Sequence, residues 1–423
     1  MKSIHDPLRS PDNRMNEFDV AVIGAGPVGV ICALALARRG HSVLLVEAEQ
    51  SVNRSPRAAT THPATLEMLA DLDLVTDVIG SGVVARYFQF WDRASGRMIA
   101  QFDHQILSND TRYPFVVQCE QHKIANFGLT RLQAMPKVSI AMQTRLSGFS
   151  DDGERVTLEL VSGSETRRRV AASYLVGCDG GRSFVRKGVG IAFDGFTHPE
   201  RFVVLTTPFD FEAEKGFCYR NYFSDPDEWA NLFKVAGDDG HGLWRVVFPT
   251  RIDETDEQAL SDAAVQHRLQ KFFPLDRPYE VVHRNIYSVH QRVAASFRKG
   301  RVMLAGDSAH VNNPIGGLGM NFGIHDAVSL ASSIDAVLQG KTEVDTEVDL
   351  DAYDRLRRPL NVEFVQTQTI QNKKRLEEKD SAVREKNFAD LAAMAADPIR
   401  HRAFLMRTSL LESVRTGPDK TSR

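Results

Sequence analysis

The stretch 301–321, RVMLAGDSAHVNNPIGGLGMN, combines an acidic residue with a glycine-rich loop. Its apolar run at 302–305 predicts a short buried strand that stops at Gly306-Asp307, and apolar periodicity predicts a helix over about 320–338. Free backbone N–H groups at a helix start attract negative charge, and a carboxylate such as that of Asp307 accepts hydrogen bonds from sugar-alcohol hydroxyls. The pattern indicates a site for an anionic, hydroxyl-rich ligand, although a plain strand–loop–helix with glycines in tight turns is equally compatible with it.

A second candidate site is the sequence GAGPVG at 24–29. A strand predicted over 18–23 precedes it, an alanine-rich helix to Arg39 follows it, and a further strand over 42–46 ends in Glu47. The three glycines allow a tight turn, close approach of the backbone to a pyrophosphate, and close helix–strand packing. Glu47 lies 23 residues after Gly24, where an acid can bind a ribose diol. The combination predicts dinucleotide binding without separating NAD from FAD, and the alternative is a glycine-rich turn with no ligand.

The third candidate is GCDGGRSFVRKGVG at 177–190, which follows a strand predicted over 167–176. Asp179 and Gly180 stand at the strand end, with Arg182 and Arg186 close behind. A carboxylate with two arginines suits a site that meets phosphates as well as hydroxyls. The alternative is an acidic turn with a surface Arg–Asp pair. Arg57, in a basic loop after the second strand, is either a solvated charge or a contact for phosphate or flavin.

Composition limits the class of protein. The 423 residues are 42% hydrophobic and 25% charged, typical of a globular chain with two or three domains, and the formal charge of −3 gives no electrostatic reason to expect nucleic acid or an anionic membrane as partner. Four scattered cysteines fit a reducing, cytoplasmic location and indicate no disulfide framework and no metal site. The polar first 17 residues lack a secretory core and are expected to form a loose arm.

The elements that must position these motifs are predicted as follows. Four strand-like runs at 202–209, 217–224, 229–235 and 243–248 predict an antiparallel sheet, which interrupts an α/β domain. We therefore expect an arm at 1–17, a first nucleotide-binding part at 18–190, an inserted β-sheet domain at 191–290, a return of the first domain at 291–345, and a charged helical region at 346–423. A helix is also predicted over 253–273.

Taken together and in this order, GAGPVG with Glu47, CDGGRSFVR and AGDSAHVNNPIGGLGMN closely resemble the single-component FAD-dependent aromatic hydroxylases, the flavoprotein monooxygenases typified by 4-hydroxybenzoate and 3-hydroxyphenylpropionate hydroxylases. The resemblance covers roughly residues 18–360. It implies an α/β fold with a Rossmann-like FAD-binding domain, an inserted antiparallel-sheet substrate domain and C-terminal helices. The FAD contacts that it implies are Gly24, Gly26, Pro27, Gly29, Glu47, Ala48, Arg57, Gln118, Asp179, Gly180, Gly306, Asp307, Pro314, Gly317, Leu318, Gly319, Met320 and Asn321.

By this resemblance, NADH or NADPH reduces FAD, O₂ adds to give a flavin hydroperoxide, and one oxygen is transferred to an electron-rich ring such as a phenol or hydroxypyridine. An oxidase, dehydrogenase or reductase on the same fold, and a non-catalytic flavin-binding sensor, are the alternatives. Because attack on the ring is easiest when its hydroxyl loses a proton, a base or hydrogen-bond acceptor should meet the substrate.

Candidates for the substrate and catalytic contacts are Tyr222, Arg220, His241 and Arg245 on the inserted sheet, with Pro314 beside the flavin ring. Tyr222 and Arg220 share a face by strand alternation. Sheet packing explains Tyr222 equally well, and surface charge explains the arginines. The C-terminal helices could cover a homodimer interface or close the domain.

Overall fold

The computed structural model describes residues 16–163, 165–238, 240–340 and 346–415. The predicted arm lies outside them except for Asn16 and Glu17, which begin the first strand. The strands are β1 (Asn16–Ile23), β2 (Val43–Val46), β3 (Thr60–Thr61), β4 (Val83–Ala85), β5 (Tyr87–Asp92), β6 (Arg97–Asp103), β7 (Val116–Gln118), β8 (Val138–Ala141), β9 (Thr144–Asp151), β10 (Val156–Ser162), β11 (Thr166–Gly177), β12 (Phe193–Thr207), β13 (Arg220–Ser224), β14 (Ala230–Val235), β15 (Leu243–Pro249), β16 (His283–Ala294), β17 (Arg298–Lys299), β18 (Val302–Leu304) and β19 (His310–Val311).

The helices include one π-helical segment, Asn361–Gln366, and two short 3₁₀ turns, His104–Leu107 and Gly306–Ser308. The α-helices are α1 (Pro27–Arg38), α2 (Pro63–Asp71), α3 (Val75–Gly80), α4 (Gln121–Gln133), α5 (Phe184–Gly188), α6 (Phe211–Lys215), α7 (Asp256–Ala259), α8 (Asp262–Phe272), α9 (Gly319–Leu338), α10 (Thr346–Leu360), α11 (Thr367–Leu376), α12 (Ser381–Ala396), α13 (Pro398–Thr408) and α14 (Leu411–Arg415).

The first sheet has the order β17-β18-β11-β1-β2-β8, with β10 and β9 added beside β11. Strands β1, β2, β8, β11 and β18 run parallel to their neighbours in this group. The register pairs Ile23 with both Val46 and Gly177, and Gly177 with Leu304. Since the carboxyl ends of three motif-bearing strands and of β2 therefore coincide, the fold gathers all the predicted nucleotide motifs along one sheet edge.

The second sheet has the order β19-β16-β12-β15-β14-β13-β5-β6 and is larger than the insert predicted from the sequence. Strands β5 and β6 come from the first segment of the chain, and β13 pairs with β5 in parallel, so the sheet is mixed at that point. One face of this sheet packs against the C-terminal helices and the loop before α9. The opposite face packs against α6, α7 and α8.

Helix α1 packs between the first sheet and the helices α9 and α4. The single helix predicted over 253–273 is divided at Ser261, whose hydroxyl accepts a hydrogen bond from the N–H of Ala264 and so starts α8 afresh. Asp380 and Asp397 divide the C-terminal region in the same way. Within the described part of the chain no helix combines the length and apolarity needed to cross a membrane, and no group of His, Cys, Asp and Glu residues there could hold a metal ion.

Candidate active site

The turn between β1 and α1 is built on close backbone contacts that only glycine permits. A Cβ atom added to Gly24 would lie 2.4 Å from the carbonyl oxygen of Cys178, and one added to Gly29 would lie 1.9 Å from the carbonyl oxygen of Gly24. A Cβ atom added to Gly26 would meet no protein atom within 4 Å. The first two glycines therefore pack strand, turn and helix together, whereas Gly26 borders open space in front of α1.

The start of α1, which borders this open space, has no side-chain cap. The residue before the helix is Gly26, which has no side chain to cap it. Pro27 begins the helix, and the first turn carries no acidic residue. The backbone N–H groups of this turn thus remain for an anion such as a pyrophosphate. Beside it, the Glu47 carboxylate accepts hydrogen bonds from the N–H of Ala25 at 2.7 Å and of Glu49 at 2.9 Å, and each oxygen keeps a lone pair for a hydroxyl. Ala48 is exposed next to it.

Asp307 lies in the short turn after β18, on the same sheet edge. Its side chain is exposed toward the cleft. Surrounding protein nevertheless desolvates the carboxyl enough to raise its pKa, against the opposing effect of His310 and Arg57. A carboxylate that is open on one side and bounded by protein on the others suits ligand hydroxyls. Gly306 holds this turn against Val28 of α1, since an added Cβ would lie 2.9 Å from that side chain.

Asp179 is engaged within the protein. Its carboxylate accepts hydrogen bonds from the hydroxyl of Ser183 at 2.5 Å and from the N–H groups of Phe184 and Val185 at 2.6 and 3.0 Å, which caps α5. Arg186 is buried and donates to the carbonyls of Ser308 and Gly181. The sequence suggested this arginine as a phosphate contact, but the structure uses it to join the two motif loops.

Gln118 has a buried amide donor that suits a cofactor. Its side chain is fully buried, its Oε1 accepts a 2.8 Å hydrogen bond from the Thr60 hydroxyl, and its Nε2 has no hydrogen-bond partner among the described residues. An unsatisfied buried donor of this kind costs about 1–3 kcal/mol. Thr60 also touches the glycine loop, because a Cβ on Gly317 would lie 2.7 Å from its Cβ. The unpaired donor and the open space at Gly26 both fit a bound FAD.

In the loop before α9, some residues make hydrogen bonds and others are buried. The carbonyl of Pro314 accepts a 2.9 Å hydrogen bond from the Gly317 N–H, Leu318 and Met320 are buried, and α9 starts at Gly319 with no side-chain cap. The Asn321 amide accepts from the His62 N–H and donates to the carbonyls of Thr60 and Gly317. Its polar atoms thus tie α9 to the chain before α2.

Between the second sheet and the C-terminal helices is a cavity with about 450 Å³ of unfilled space, some of it open to solvent. Arg220 and Tyr222 line it, as the strand alternation predicted, and Arg220 Nη2 donates to the Tyr222 hydroxyl at 3.1 Å. The Arg220 guanidinium lies 5.2 Å from the centre of the Phe88 ring. The lining residues are His62, Phe88, Phe90, His104, Arg220, Tyr222, Ile315, Gly316, Gln368, Asn372, Leu376, Phe404 and Thr408.

Three of the five sequence candidates do not line this cavity. His241 is exposed in the connection from β14 to β15. Arg245 shares a sheet face with Arg220, because Phe233 pairs with both, but its Nη1 donates to the carbonyl of Arg57 at 3.1 Å. Pro314 is also outside the lining, although its neighbours Ile315 and Gly316 are in it.

Sequence reasoning missed the two cavity histidines, His62 and His104. Burial, followed by the charge of Arg220, lowers the pKa of His62 well below its ordinary value and that of His104 to about 3. Both rings are therefore neutral at physiological pH. The C-terminal helices α11 and α13 close the cavity with Gln368, Asn372 and Phe404.

The fold and the site define the class: a flavoprotein whose cofactor cleft adjoins a separate small-molecule cavity across a glycine loop. A family model described as "FAD binding domain" matches residues 17–368. Para-nitrophenol 4-monooxygenase of Pseudomonas sp. (strain WBC-3) is 36% identical over 394 residues, covering 92% of this chain and 94% of that protein. 6-Hydroxy-3-succinoylpyridine 3-monooxygenase HspB of Pseudomonas putida (strain DSM 28022 / S16) is 32% identical over 362 residues, covering 84% and 88%.

Among solved structures, p-nitrophenol 4-monooxygenase PnpA from Pseudomonas putida DLL-E4 superimposes with a TM-score of 0.86 at 32% identity, covering 93% of this chain and 98% of that one. The chain therefore belongs to the FAD-binding-domain family, and it is an FAD-dependent monooxygenase that hydroxylates aromatic rings. The class, fold and cofactor expected from the motifs are confirmed. Nothing in the comparisons favours the oxidase, reductase or sensor alternatives.

Proposed function

We propose that this monooxygenase hydroxylates a small phenol or hydroxypyridine that carries a second, oxygen-rich or anionic substituent, and that Arg220 binds that substituent. The observation that supports this proposal is that Arg220 is a buried cation without an acidic partner among the described residues. It is 3% exposed, its Nε has no hydrogen-bond partner, and no acidic side chain among the described residues pairs with it. A buried cation needs an opposite charge or strong acceptor, because its removal from water is otherwise uncompensated.

The walls around Arg220 suit one planar ring. Phe88, Phe90 and Tyr222 pack together, with Phe90 and Tyr222 stacked at 5.3 Å between ring centres. The substrates for which the two relatives are named support this proposal, since nitrophenol and hydroxy-succinoylpyridine each combine a ring hydroxyl with an oxygen-rich substituent.

For the cofactor, we propose that the diphosphate of FAD binds at the start of α1, opposite Gly26, and that Glu47 and Asp307 accept hydrogen bonds from its sugar and ribityl hydroxyls. Gln118 Nε2 would donate to the flavin part, and the uncapped start of α9 would favour negative charge on the ring. A bound FAD would supply the redox chemistry, namely uptake of hydride from NAD(P)H and delivery of one oxygen atom of O₂ to the substrate ring, with the other oxygen atom released as water. The protein supplies position and exclusion of water.

The test is oxidation of NADH and NADPH in air by the FAD-loaded protein, with products followed by mass. The panel contains 4-nitrophenol, 4-hydroxybenzoate, unsubstituted phenol and the methyl ether 4-nitroanisole. We expect the two disubstituted phenols to accelerate oxidation and yield a hydroxylated product, phenol to act weakly, and the ether to yield none. Equal activity with phenol would refute the role of Arg220, and peroxide without any oxygenated product would refute the function.

We further propose that the enzyme is cytoplasmic, does not bind nucleic acid, and forms a homodimer. The formal charge of −3 and the scattered free cysteines support the first two statements. Cell fractionation and sedimentation of the FAD-loaded protein test the location and the oligomeric state.

A further inference from the structure

Of the two ring nitrogens of His62, one makes a hydrogen bond to the protein and the other has no partner among the described residues. Its Nε2 lies 2.9 Å from the carbonyl oxygen of Gly316. Because a carbonyl oxygen only accepts, Nε2 carries the hydrogen, and the neutral ring then has its lone pair on Nδ1. Nδ1 is buried and has no hydrogen-bond partner among the described residues. The residue is 3% exposed, so this acceptor is not satisfied by bulk water.

The surroundings keep this ring neutral. The titratable groups that face it are Arg220 on β13, His104 in the turn after β6, and His325 on α9, and each disfavours a second proton. The carbonyl of Gly316 favours it, but less than burial and Arg220 oppose it. No acidic residue lies among those that line the cavity. A neutral acceptor beside a buried cation is suited to a ligand that offers both a hydroxyl proton and a negative or oxygen-rich group.

We propose that His62 Nδ1 accepts the hydrogen bond of the substrate hydroxyl and takes its proton as the ring is hydroxylated. In this step the O–H bond breaks, the electron pair stays on oxygen, and the proton bonds to Nδ1. The charge left on oxygen raises the electron density of the ring, which is what oxygen transfer needs. Arg220 holds the other substituent. The assignment rests on the proposed function and adds to it the group that activates the substrate.

The anchoring of His62 explains why it rather than His104 has this role. Gly316 belongs to the loop that precedes α9 and adjoins the cofactor cleft. His104 is anchored instead by the carbonyl of Arg86, which follows β4, at 2.8 Å from its Nδ1. Of the two neutral histidines, His62 is therefore the one fixed to the loop where the flavin ring and the substrate meet.

Two substitutions of His62 distinguish the role of Nδ1 from that of Nε2. His62→Gln places an amide donor near the Nε2 position, so the contact to Gly316 is kept while the Nδ1 lone pair is lost. His62→Asn places an amide oxygen near the Nδ1 position and loses the contact to Gly316. We expect His62→Gln to lower kcat for the fastest phenol of the panel about 100-fold or more, with FAD content unchanged. His62→Asn should lower kcat as well, because an amide oxygen accepts a hydrogen bond but is too weak a base to take the proton, and it should also bind FAD less tightly.

The pH profile gives a readout that a structural role would not change. In His62→Gln, kcat should recover as the pH rises toward the solution pKa of the substrate phenol, because solvent then removes the proton. Binding of 4-nitrophenol, followed by the absorbance difference between phenol and phenolate, should show the neutral form bound to the wild type below that pKa.

Several results would overturn the assignment. These are wild-type kcat in His62→Gln or in His62→Asn, or loss of the pH-dependent step in His104→Asn instead. A wild-type enzyme that hydroxylates no phenol of the panel would refute the proposed function itself. A wild-type enzyme that is active alongside an equally active His62→Gln variant would refute only this inference.

Discussion

Replacing Arg220 with methionine should make the protein more stable and a worse enzyme. The guanidinium makes one hydrogen bond to Tyr222 and one contact over the Phe88 ring. Losing them costs about 1 kcal/mol for the hydrogen bond and about 0.5–2 kcal/mol for the cation–π contact. Desolvation of an unpaired buried ion costs several kcal/mol. Methionine fills similar volume without that cost, so we expect a net gain of about 1–2 kcal/mol in the ligand-free protein.

The same change should weaken substrate binding selectively. A charge-assisted hydrogen bond is worth about 1.5–3 kcal/mol, which corresponds to about a 10–150-fold rise in KM for a phenol with an oxygen-rich substituent. KM for unsubstituted phenol should change little, because that ring offers Arg220 no second group. The rise in KM should therefore depend on the substituent of the substrate and not on a general change of the cavity.

Thermal unfolding of the apoprotein and steady-state kinetics on the panel measure both effects. We expect Tm to rise by about 1–4 °C, a modest shift because the effect of each kcal/mol falls with chain length. Arg245→Met is the matched control, since Arg245 is also a buried arginine of the second sheet but does not line the cavity. Its KM should stay within about twofold of the wild type, in line with its absence from the cavity. A lower Tm in Arg220→Met with an unchanged KM would show that Arg220 is structural.

Three further predictions concern the cofactor cleft. Gln118→Leu should weaken FAD binding about 10-fold in a fluorescence titration, the equivalent of one hydrogen bond, without lowering apoprotein stability; an unchanged Kd would contradict it. Gly26→Ala should fold but lose FAD, whereas Gly24→Ala, whose methyl would strike a carbonyl, should fail to fold; circular dichroism and flavin content separate them. Asp326 is buried on α9, where its carboxylate accepts a hydrogen bond from the N–H of Gly306 and pairs with His310 and with Arg357 of α10. Burial alone would raise the pKa of Asp326, but His310 and Arg357 lower it. Its stabilisation is therefore present above the ordinary carboxyl pKa of about 4 and lost as the pH falls below it, so Asp326→Asn should flatten the acid limb of the Tm–pH curve.

The cofactor cleft was predictable from sequence because each of its motifs is local. A strand end, a glycine turn and a helix start lie within about twenty residues of one another in each motif, and parallel pairing brings the strand ends to one edge. What the local pattern could not reveal is how side chains are already used. The sequence predicts that Asp179 binds a ligand, but its carboxylate already accepts hydrogen bonds from N–H groups of α5. This helix is too short to be evident from the sequence.

The substrate cavity was less predictable because its walls come from distant segments. His62 stands in an unremarkable stretch before α2, and its hydrogen-bond partner Gly316 is 254 residues away. The C-terminal region is heavily charged in sequence, yet Asn372 and Phe404 turn inward to cover the second sheet. Strand alternation correctly paired Arg220 with Tyr222. The sequence offered Arg245 as a further candidate, but it did not indicate that the guanidinium would contact the carbonyl of Arg57.

The charges around the cavity would also couple substrate binding to the protonation of His62. Among the described residues that line the cavity, Arg220 is the only charged one, and His62 and His104 are neutral partly because of that charge. A ligand that brings negative charge to Arg220 removes the main electrostatic opposition to protonating His62. Binding of the substituent therefore makes Nδ1 a better base for the hydroxyl of the same molecule. On the proposed assignment, a protonated His62 would also hold the Gly316 carbonyl more strongly through Nε2, so substrate binding would both favour proton transfer and strengthen the contact to the loop before α9.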